Sequence, residues 1–363
     1  MLEHDAIVIG AGQAGLAAGH ALRTTGLSFT LLEAGEQPGG SWPRFYDSLT
    51  LFSPARYCAL PGLPFPGDQA RYPHRDEAAD YLRHYADHFA LPVRTGSRVA
   101  AARRDAGGLV VELTGGEQLT ARAVIAATGL FGAPQVPALA GLETYTGELL
   151  HTAAYRRPDA YTGQRVVVVG GGNSAIQIAV ELAQVAEVSL ATRSPLKTRR
   201  QRPLGIDLHH WLHYSGIDRL PLGRRAAASI GVLDDGQYTA ALAAGRPQQH
   251  DMFTTMTTDG VRWPDGHEKR IDTVILGTGY RPALDFLPME AFQPDGWPVH
   301  RRGISTTVRG LGYIGLPGQT GVASAMLRGV GPDAAHVVRQ LQRQLRTSDV
   351  RHEDPAPVGG GDD

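Results

Sequence analysis

Cysteine is almost missing from this 363-residue chain, with Cys58 as its single representative. One thiol cannot close an intramolecular disulfide, and it equally excludes a redox-active dithiol. Lysine is scarce as well: only Lys197 and Lys269 occur, so arginine carries the basic charge. Neither sign of charge dominates, and a formal net charge of −1 gives no electrostatic draw toward nucleic acid or an anionic membrane. No apolar run approaches the roughly 20 residues that a membrane span needs, and the opening MLEHDAIVIG lacks the basic and apolar regions of a secretory leader. These absences lead to the expectation of a cytoplasmic globule that works on small molecules, with no nucleic acid and no membrane as partner. A hydrophobic content of 42% with 20% charged residues is ordinary for such a chain, and the length allows two domains.

What the chain does have is glycine at chosen places. Residues 5–33 read strand, glycine turn, helix, strand: the apolar run Ala6–Ile9 meets Gly10, an alanine-rich helix follows, and Ser28–Leu32 makes the next strand. The stretch Gln37 to Tyr72 is rich in proline and glycine, and its aromatics, from Trp42 to Phe65, mark it as an ordered functional loop. A helix is expected over Asp76–Phe89, then a hairpin of Leu109–Leu113 and Leu119–Ala126 around Gly115-Gly116. Residues 165–193 repeat strand, glycine turn, helix, strand. A partly helical insert at 195–250 follows, then a strand Ile271–Leu276, a strand Leu311–Gly315, a helix from about Gly321 to Arg346, and a flexible tail at 348–363. The pattern predicts an α/β fold of two nested Rossmann-like dinucleotide-binding domains. The first, 1–155 and 281–347, is interrupted by the second, 156–280.

The first fingerprint is Gly10-Ala11-Gly12-Gln13-Ala14-Gly15. Gly10 permits the tight turn, Gly12 lets the backbone approach a pyrophosphate, and Gly15 lets the helix pack close to its strand. The helix N-terminus offers free N–H groups and positive potential to phosphates. Glu33, at the tip of the second strand, stands where a carboxylate accepts hydrogen bonds from a ribose diol. A lone glycine motif is weak evidence, but here strand, turn, helix, strand and acid occur in order. The second fingerprint is Gly170-Gly171-Gly172-Asn173-Ser174-Ala175, with Ala175 in place of the third glycine. Arg193 stands as far past Gly170 as Glu33 stands past Gly10, with Thr192 and Ser194 beside it. A guanidinium can grip an adenosine 2′-phosphate that a carboxylate would repel. NADPH is therefore favoured at the second site, with NADH left open.

The segment Tyr145-Thr-Gly147-Glu-Leu-Leu-His151-Thr-Ala-Ala-Tyr155 resembles the linker signature of the class B flavin-dependent monooxygenases. These include the flavin-containing monooxygenases, their short bacterial relatives and the plant indole-pyruvate monooxygenases. Pro38-Gly39-Gly40-Ser41-Trp42 resembles the family's FAD-contacting turn. Ala127-Thr128-Gly129 and Thr278-Gly279-Tyr280 look like its two domain-crossing turns, and Gly321–Gly329 like the helix start that faces the flavin. The resemblance implies FAD on Gly10, Gly12, Gln13, Ala14, Gly15, Glu33, Gly40, Ser41, Trp42, Phe52, Thr128, Gly129 and Gln319. It implies NADPH on Gly170, Gly172, Asn173, Ser174, Ala175, Arg193, Ser194 and Thr278. His151 would brace the domains. The implied reaction passes hydride to FAD and inserts one oxygen atom of O2, through a flavin C4a-adduct, into a small sulfide, amine or ketone. No side chain need act as a nucleophile, so no catalytic residue is named. Phe52 stands where eukaryotic members carry an asparagine, which keeps open an NADPH oxidase or flavin reductase releasing hydrogen peroxide. A redox-sensing flavoprotein whose partners bind the insert is a third reading.

His209, His210 and His213 include an i, i+4 pair that could hold a metal. No further ligand completes a motif, so they read as exposed histidines of an insert helix and no metal site is expected. Cys58 reads as a packed residue. No Ser-His-Asp signature is visible, and the oligomeric state stays open, with a homodimer among the options.

Overall fold

Side chains of β1 (His4–Ile9) alternate between two cores. Ala6 and Val8 face one side of the first sheet, whereas Ile7 and Ile9 face the other. The computed structural model describes residues 2–105, 107–224 and 231–353. In it β1 lies between β2 (Phe29–Leu32) and β6 (Gln118–Ala126), parallel to both. β3 (Val93–Arg94) extends the sheet beyond β2, and Leu311–Tyr313 pairs in parallel with β6 on the other side. The hairpin of β4 (Val99–Asp105) and β5 (Gly108–Leu113) joins β6 antiparallel, and Ile304–Ser305 and His300–Arg301 continue antiparallel beyond Leu311–Tyr313 to make nine strands. Helix α1 (Gln13–Leu22) and the C-terminal helix Leu327–Glu353 cover one face together with α2 (Arg75–His88).

The second sheet has five strands, all parallel: Gln248–Asp251, Glu187–Thr192, Arg165–Val169, Thr273–Leu276 and Glu148–His151. Val166 and Val168 face α3 (Asn173–Leu182). Val167 and Val169 face an antiparallel meander, Thr255–Thr257, Gly260–Arg262 and Glu268–Arg270, which brings Met256, Val261 and Trp263 into the core. The α/β fold with two Rossmann-like units is as the sequence pattern requires. The chain crosses between the units at Ala133–Pro134 and returns at Tyr280–Arg281, and these two crossings pair antiparallel.

Three boundaries differ from the sequence reading. Glu148–His151, placed by sequence in the first unit, is the edge strand of the second sheet, because the chain has already crossed at Pro134. The helix expected from Gly321 begins at Leu327. Before it, the Ser324 hydroxyl accepts from the Thr320 and Gly321 amides at 3.0 Å each, which folds 320–326 into turns. A Cβ on Gly329 would lie 1.8 Å from the Ala323 carbonyl oxygen, so the turn closes directly on the helix. The tail expected from 348 is helical through Glu353; residues 354–363 of that tail lie outside the described residues.

Asp333 sits on this helix, 1% exposed, and accepts from the Thr320 hydroxyl. Burial pushes its carboxyl up to about 6, outweighing the pull of Thr320 and Ser324. A folded-state value above the unfolded one means that the contribution of Asp333 to stability is fully present below about pH 4 and is lost as pH rises through about 6. Asp333→Asn removes that charging cost. Denaturant titrations should find the variant more stable than wild type at pH 7.5, by on the order of 2 kcal/mol, with the difference shrinking or reversing at pH 4.

Candidate functional site

The glycine turns put both helix starts at the C-terminal ends of their sheets. Gly10 holds φ +101°, and a Cβ there would lie 2.7 Å from the Ala127 carbonyl oxygen. Gly15 meets the Gly10 carbonyl so closely that a Cβ would come within 1.8 Å of it, which is the helix-to-strand contact the third glycine serves. Gly12 and Gly40 approach each other through bare backbone: a Cβ on Gly40 would lie 2.9 Å from the Gly12 Cα. In the second unit Gly170 holds φ +140°, and Ala175 replaces the third glycine where a Cβ is tolerated. Over Gly172 a Cβ would meet nothing within 4 Å, so the approach to the start of α3 is open.

A cavity of about 1040 Å³ runs from the first glycine turn to the junction of the two units. That volume sits at the upper end for small-molecule sites and suits a dinucleotide. Gly10, Gly12, Gln13 and Ala14 line it, and the first-turn N–H groups of α1 have no intrahelical partners. Glu33, Gly40, Ser41, Trp42, Phe52, Thr128 and Gly129 line it as well. The Glu33 carboxylate accepts from the Ala11 amide at 2.7 Å and the Gly35 amide at 2.9 Å, which fixes it at the strand tip. Gln13 accepts from the Trp42 indole at 3.1 Å and donates to the Ala325 carbonyl at 2.9 Å, tying α1, the Gly-Gly-Ser-Trp turn and the approach to the C-terminal helix together. The residues present therefore fit a flavin dinucleotide: a backbone cradle, a buried acid at the strand tip and an adequate volume.

Gln319 lies outside the cavity lining: its amide donates to the Tyr313 carbonyl at 2.8 Å and its oxygen accepts from the Leu316 amide, so it braces the turn. From the second unit, Asn173 reaches the cavity, whereas Gly170, Gly172, Ser174 and Ala175 stay outside it. Arg193 and Ser194 are exposed just beyond strand Glu187–Thr192. Thr278 donates to the Gln135 carbonyl and Thr128 to the Ala283 carbonyl at 3.1 Å, so both hydroxyls lock the crossings.

Sequence reasoning missed the aromatic wall of the cavity. Trp42, Phe45, Phe131 and Tyr280 follow one another edge to face at 5.8, 5.1 and 5.2 Å, and Tyr280 meets the His151 ring at 4.7 Å. Their separation along the chain left no local signal. His151 accepts from the Ala153 amide through Nδ1 and donates through Nε2 to the Gly279 carbonyl at 3.1 Å. Burial holds its pKa below the usual histidine value, so it braces the crossing as a neutral ring.

The histidines of the insert helix α4 (Leu208–Tyr214) do not share one exposed face. His209 is 1% exposed and reaches back to the 53–58 loop, and His210 lies 3.4 Å from the Tyr57 hydroxyl. No cluster of three or more metal-binding side chains occurs among the described residues. Cys58 is buried, and that burial pushes its thiol up to about 12. Among the described residues, no helix is long and apolar enough to cross a membrane.

The family model "Pyridine nucleotide-disulphide oxidoreductase" matches residues 7–315. With a single, buried cysteine, this chain lacks the paired thiols of a dithiol–disulfide centre. A flavin-containing monooxygenase from Stenotrophomonas maltophilia superposes with a TM-score of 0.84 at 35% identity, covering 95% of this chain and 100% of that one. The chain is 31% identical to an indole-3-pyruvate monooxygenase of Oryza sativa subsp. japonica, over 95% of its length and 93% of the relative's. It is equally 31% identical to an uncharacterized oxidoreductase of Geobacillus kaustophilus (strain HTA426), over 93% and 98% of the two chains. The chain belongs to the pyridine nucleotide-disulphide oxidoreductase family, as an oxidoreductase of its flavin-dependent monooxygenase branch.

Proposed function

We propose that the protein is an FAD-loaded, NADPH-dependent monooxygenase that places one oxygen atom of O2 on a small sulfide, amine or ketone. The observation that carries this reading is convergence: Gln13, at the start of α1, and Asn173, at the start of α3, face one cavity from two separate glycine turns. In this reading Gly10, Gly12 and the first-turn amides of α1 hold the FAD pyrophosphate, and Glu33 holds the ribose. Gly170, Gly172 and α3 hold the second pyrophosphate, with Arg193 and Ser194 on the 2′-phosphate. FAD would supply hydride acceptance and oxygen activation. The protein's part is to align the two cofactors and exclude water, which the aromatic wall from Trp42 to Tyr280 serves.

One observation favours a second reading. Phe52 lines the cavity at 38% exposure, and its ring can neither donate to nor accept from an oxygen species. Loose coupling, with hydrogen peroxide released as in an NADPH oxidase, follows if Phe52 leaves that species unheld. The ratio of NADPH consumed to product formed separates the two readings.

Gly12→Val should abolish FAD binding, because the new side chain enters the space between Gly12 and Gly40 and the phosphate approach. Gly172→Val, which meets open space, should retain FAD but block reduction by NADPH. Flavin absorbance of the purified variants checks the first and anaerobic reduction the second; equal FAD loss in both would contradict two separate sites. Arg193→Ala should raise KM for NADPH by roughly ten- to hundredfold while leaving NADH nearly unchanged, as expected for a charge-assisted phosphate contact. Equal weakening of both cofactors in steady-state kinetics would remove Arg193 as the phosphate reader.

A further inference from the structure

The insert sends one buried histidine to the cavity loop. His209 Nε2 lies 3.3 Å from Ser53 Oγ, and Ser53 lines the cavity. On its other side, His209 Nδ1 lies 2.8 Å from Asp207 Oδ1, the oxygen that also accepts the His209 main-chain N–H at 2.8 Å. The remaining oxygen, Oδ2, accepts from the Tyr72 hydroxyl and from the Gln201 amide at 2.8 Å. The His209 ring is held between Phe52, at 5.9 Å and 23°, and Tyr57, at 6.3 Å and 30°. We propose that Ser53 and His209 form a proton-transfer pair serving the cofactor cavity, with Asp207 as its positioning residue. The proposal rests on the monooxygenase reading above and assigns it an acid–base site.

An ionised carboxylate only accepts, so Asp207 fixes the proton on His209 Nδ1, and Nε2 then accepts from the Ser53 hydroxyl. Burial pushes the Asp207 carboxyl up, but hydrogen bonds from His209, Tyr72 and Gln201 outweigh it and hold it at about 2, so it stays anionic. Of the other charged groups nearby, Arg202 donates to the Tyr72 hydroxyl at 3.3 Å and so supports the anionic Asp207 through that tyrosine, whereas Arg328 is paired with Asp218. In the loading step a proton from solvent, carried by water reaching the cavity, passes to Ser53 Oγ while the serine's own proton passes to His209 Nε2. The resulting imidazolium lies against Asp207, and reversal returns the proton to the cavity. No electrons move in this step. Oxygen insertion consumes NADPH, one proton, O2 and substrate and yields NADP⁺, water and oxygenated product; the pair supplies that proton to the oxygen leaving as water. Hydrolytic use of the same three residues is disfavoured because Pro54 follows the serine, and its missing N–H deprives an oxyanion of its usual donor. A purely mechanical role is already filled by Gln201, which donates to the Phe52 carbonyl at 3.1 Å and ties the insert to the loop.

The test combines a measurement that needs no turnover with one that does. In nitrogen-15 spectra of the whole FAD-loaded protein, the His209 ring signals are identified by their loss in His209→Gln. Wild type should show the Nδ1–H form; Ser53→Ala should move the Nε2 signal alone, and Asp207→Asn should release the Nε2–H form. When the reduced protein is mixed with oxygen, Ser53→Ala should slow the proton-dependent step about a hundredfold, and Ser53→Thr should restore most of it. An Nε2–H ring in wild type, or an unchanged oxygen step in Ser53→Ala, overturns the proposal. Stoichiometric labelling of Ser53 by phenylmethanesulfonyl fluoride also overturns it, by making the serine a nucleophile. Wild-type protein that never loads FAD would sink the underlying cofactor reading, a failure visible before either measurement begins.

Discussion

A Cβ on Gly15 would sit 1.8 Å from the Gly10 carbonyl oxygen, and the first unit depends on how closely helix and strand meet there. That contact sets α1 tight against the end of β1, so its first-turn amides open into the cavity rather than onto protein. The same closeness lets Gly40 approach Gly12 backbone to backbone, and Gln13 then links Trp42 to Ala325. Three chain segments far apart in sequence thus converge on one short stretch of glycine-rich backbone. The second unit reaches a similar geometry with Ala175, where its turn is wide enough for a methyl group.

The two units are joined by polar crossings rather than by one continuous sheet. Thr128 donates to the Ala283 carbonyl and Thr278 to the Gln135 carbonyl, each just past the opposite crossing strand, and Ala133–Pro134 pairs with Tyr280–Arg281. His151 adds a neutral ring between the edge strand of the second sheet and Gly279, in contact with Tyr280. From Tyr280 the edge-to-face series through Phe131 and Phe45 returns to Trp42 beside the first glycine turn. Each such pair adds on the order of 1 kcal/mol beyond its area burial, and the series holds the relative position of the two helix starts.

What sequence revealed was what local chemistry encodes. Strand–turn–helix units announce themselves because a positive-φ glycine, a bare backbone approach and an apolar alternation must follow each other within a few residues. At Gln319, a polar residue beside the expected flavin-facing helix start looks free to face a ligand, whereas its amide group bonds Tyr313 and Leu316, partners that no local pattern announces. Glu148–His151 falls within the first unit by sequence but pairs in the second sheet, because a short, half-buried strand carries no mark of its partner. The Ser53–His209–Asp207 array had no legible signal at all. Its members lie on a proline-rich loop and on a short insert helix, and only the docking of one on the other brings them within hydrogen-bond range. The same holds for the aromatic wall, whose spacing follows no period.

The proposed reaction requires the two nucleotide turns to serve one reaction space. Its most direct test is to reduce the FAD-loaded protein anaerobically with NADPH and then mix it with oxygen in a stopped-flow spectrometer. Complete flavin reduction by NADPH is expected, followed by a transient absorbance that belongs to neither oxidised nor reduced flavin before the oxidised spectrum returns. Flavin that NADPH cannot reduce, or that returns directly to the oxidised form with one hydrogen peroxide per NADPH even when substrate is present, would contradict it.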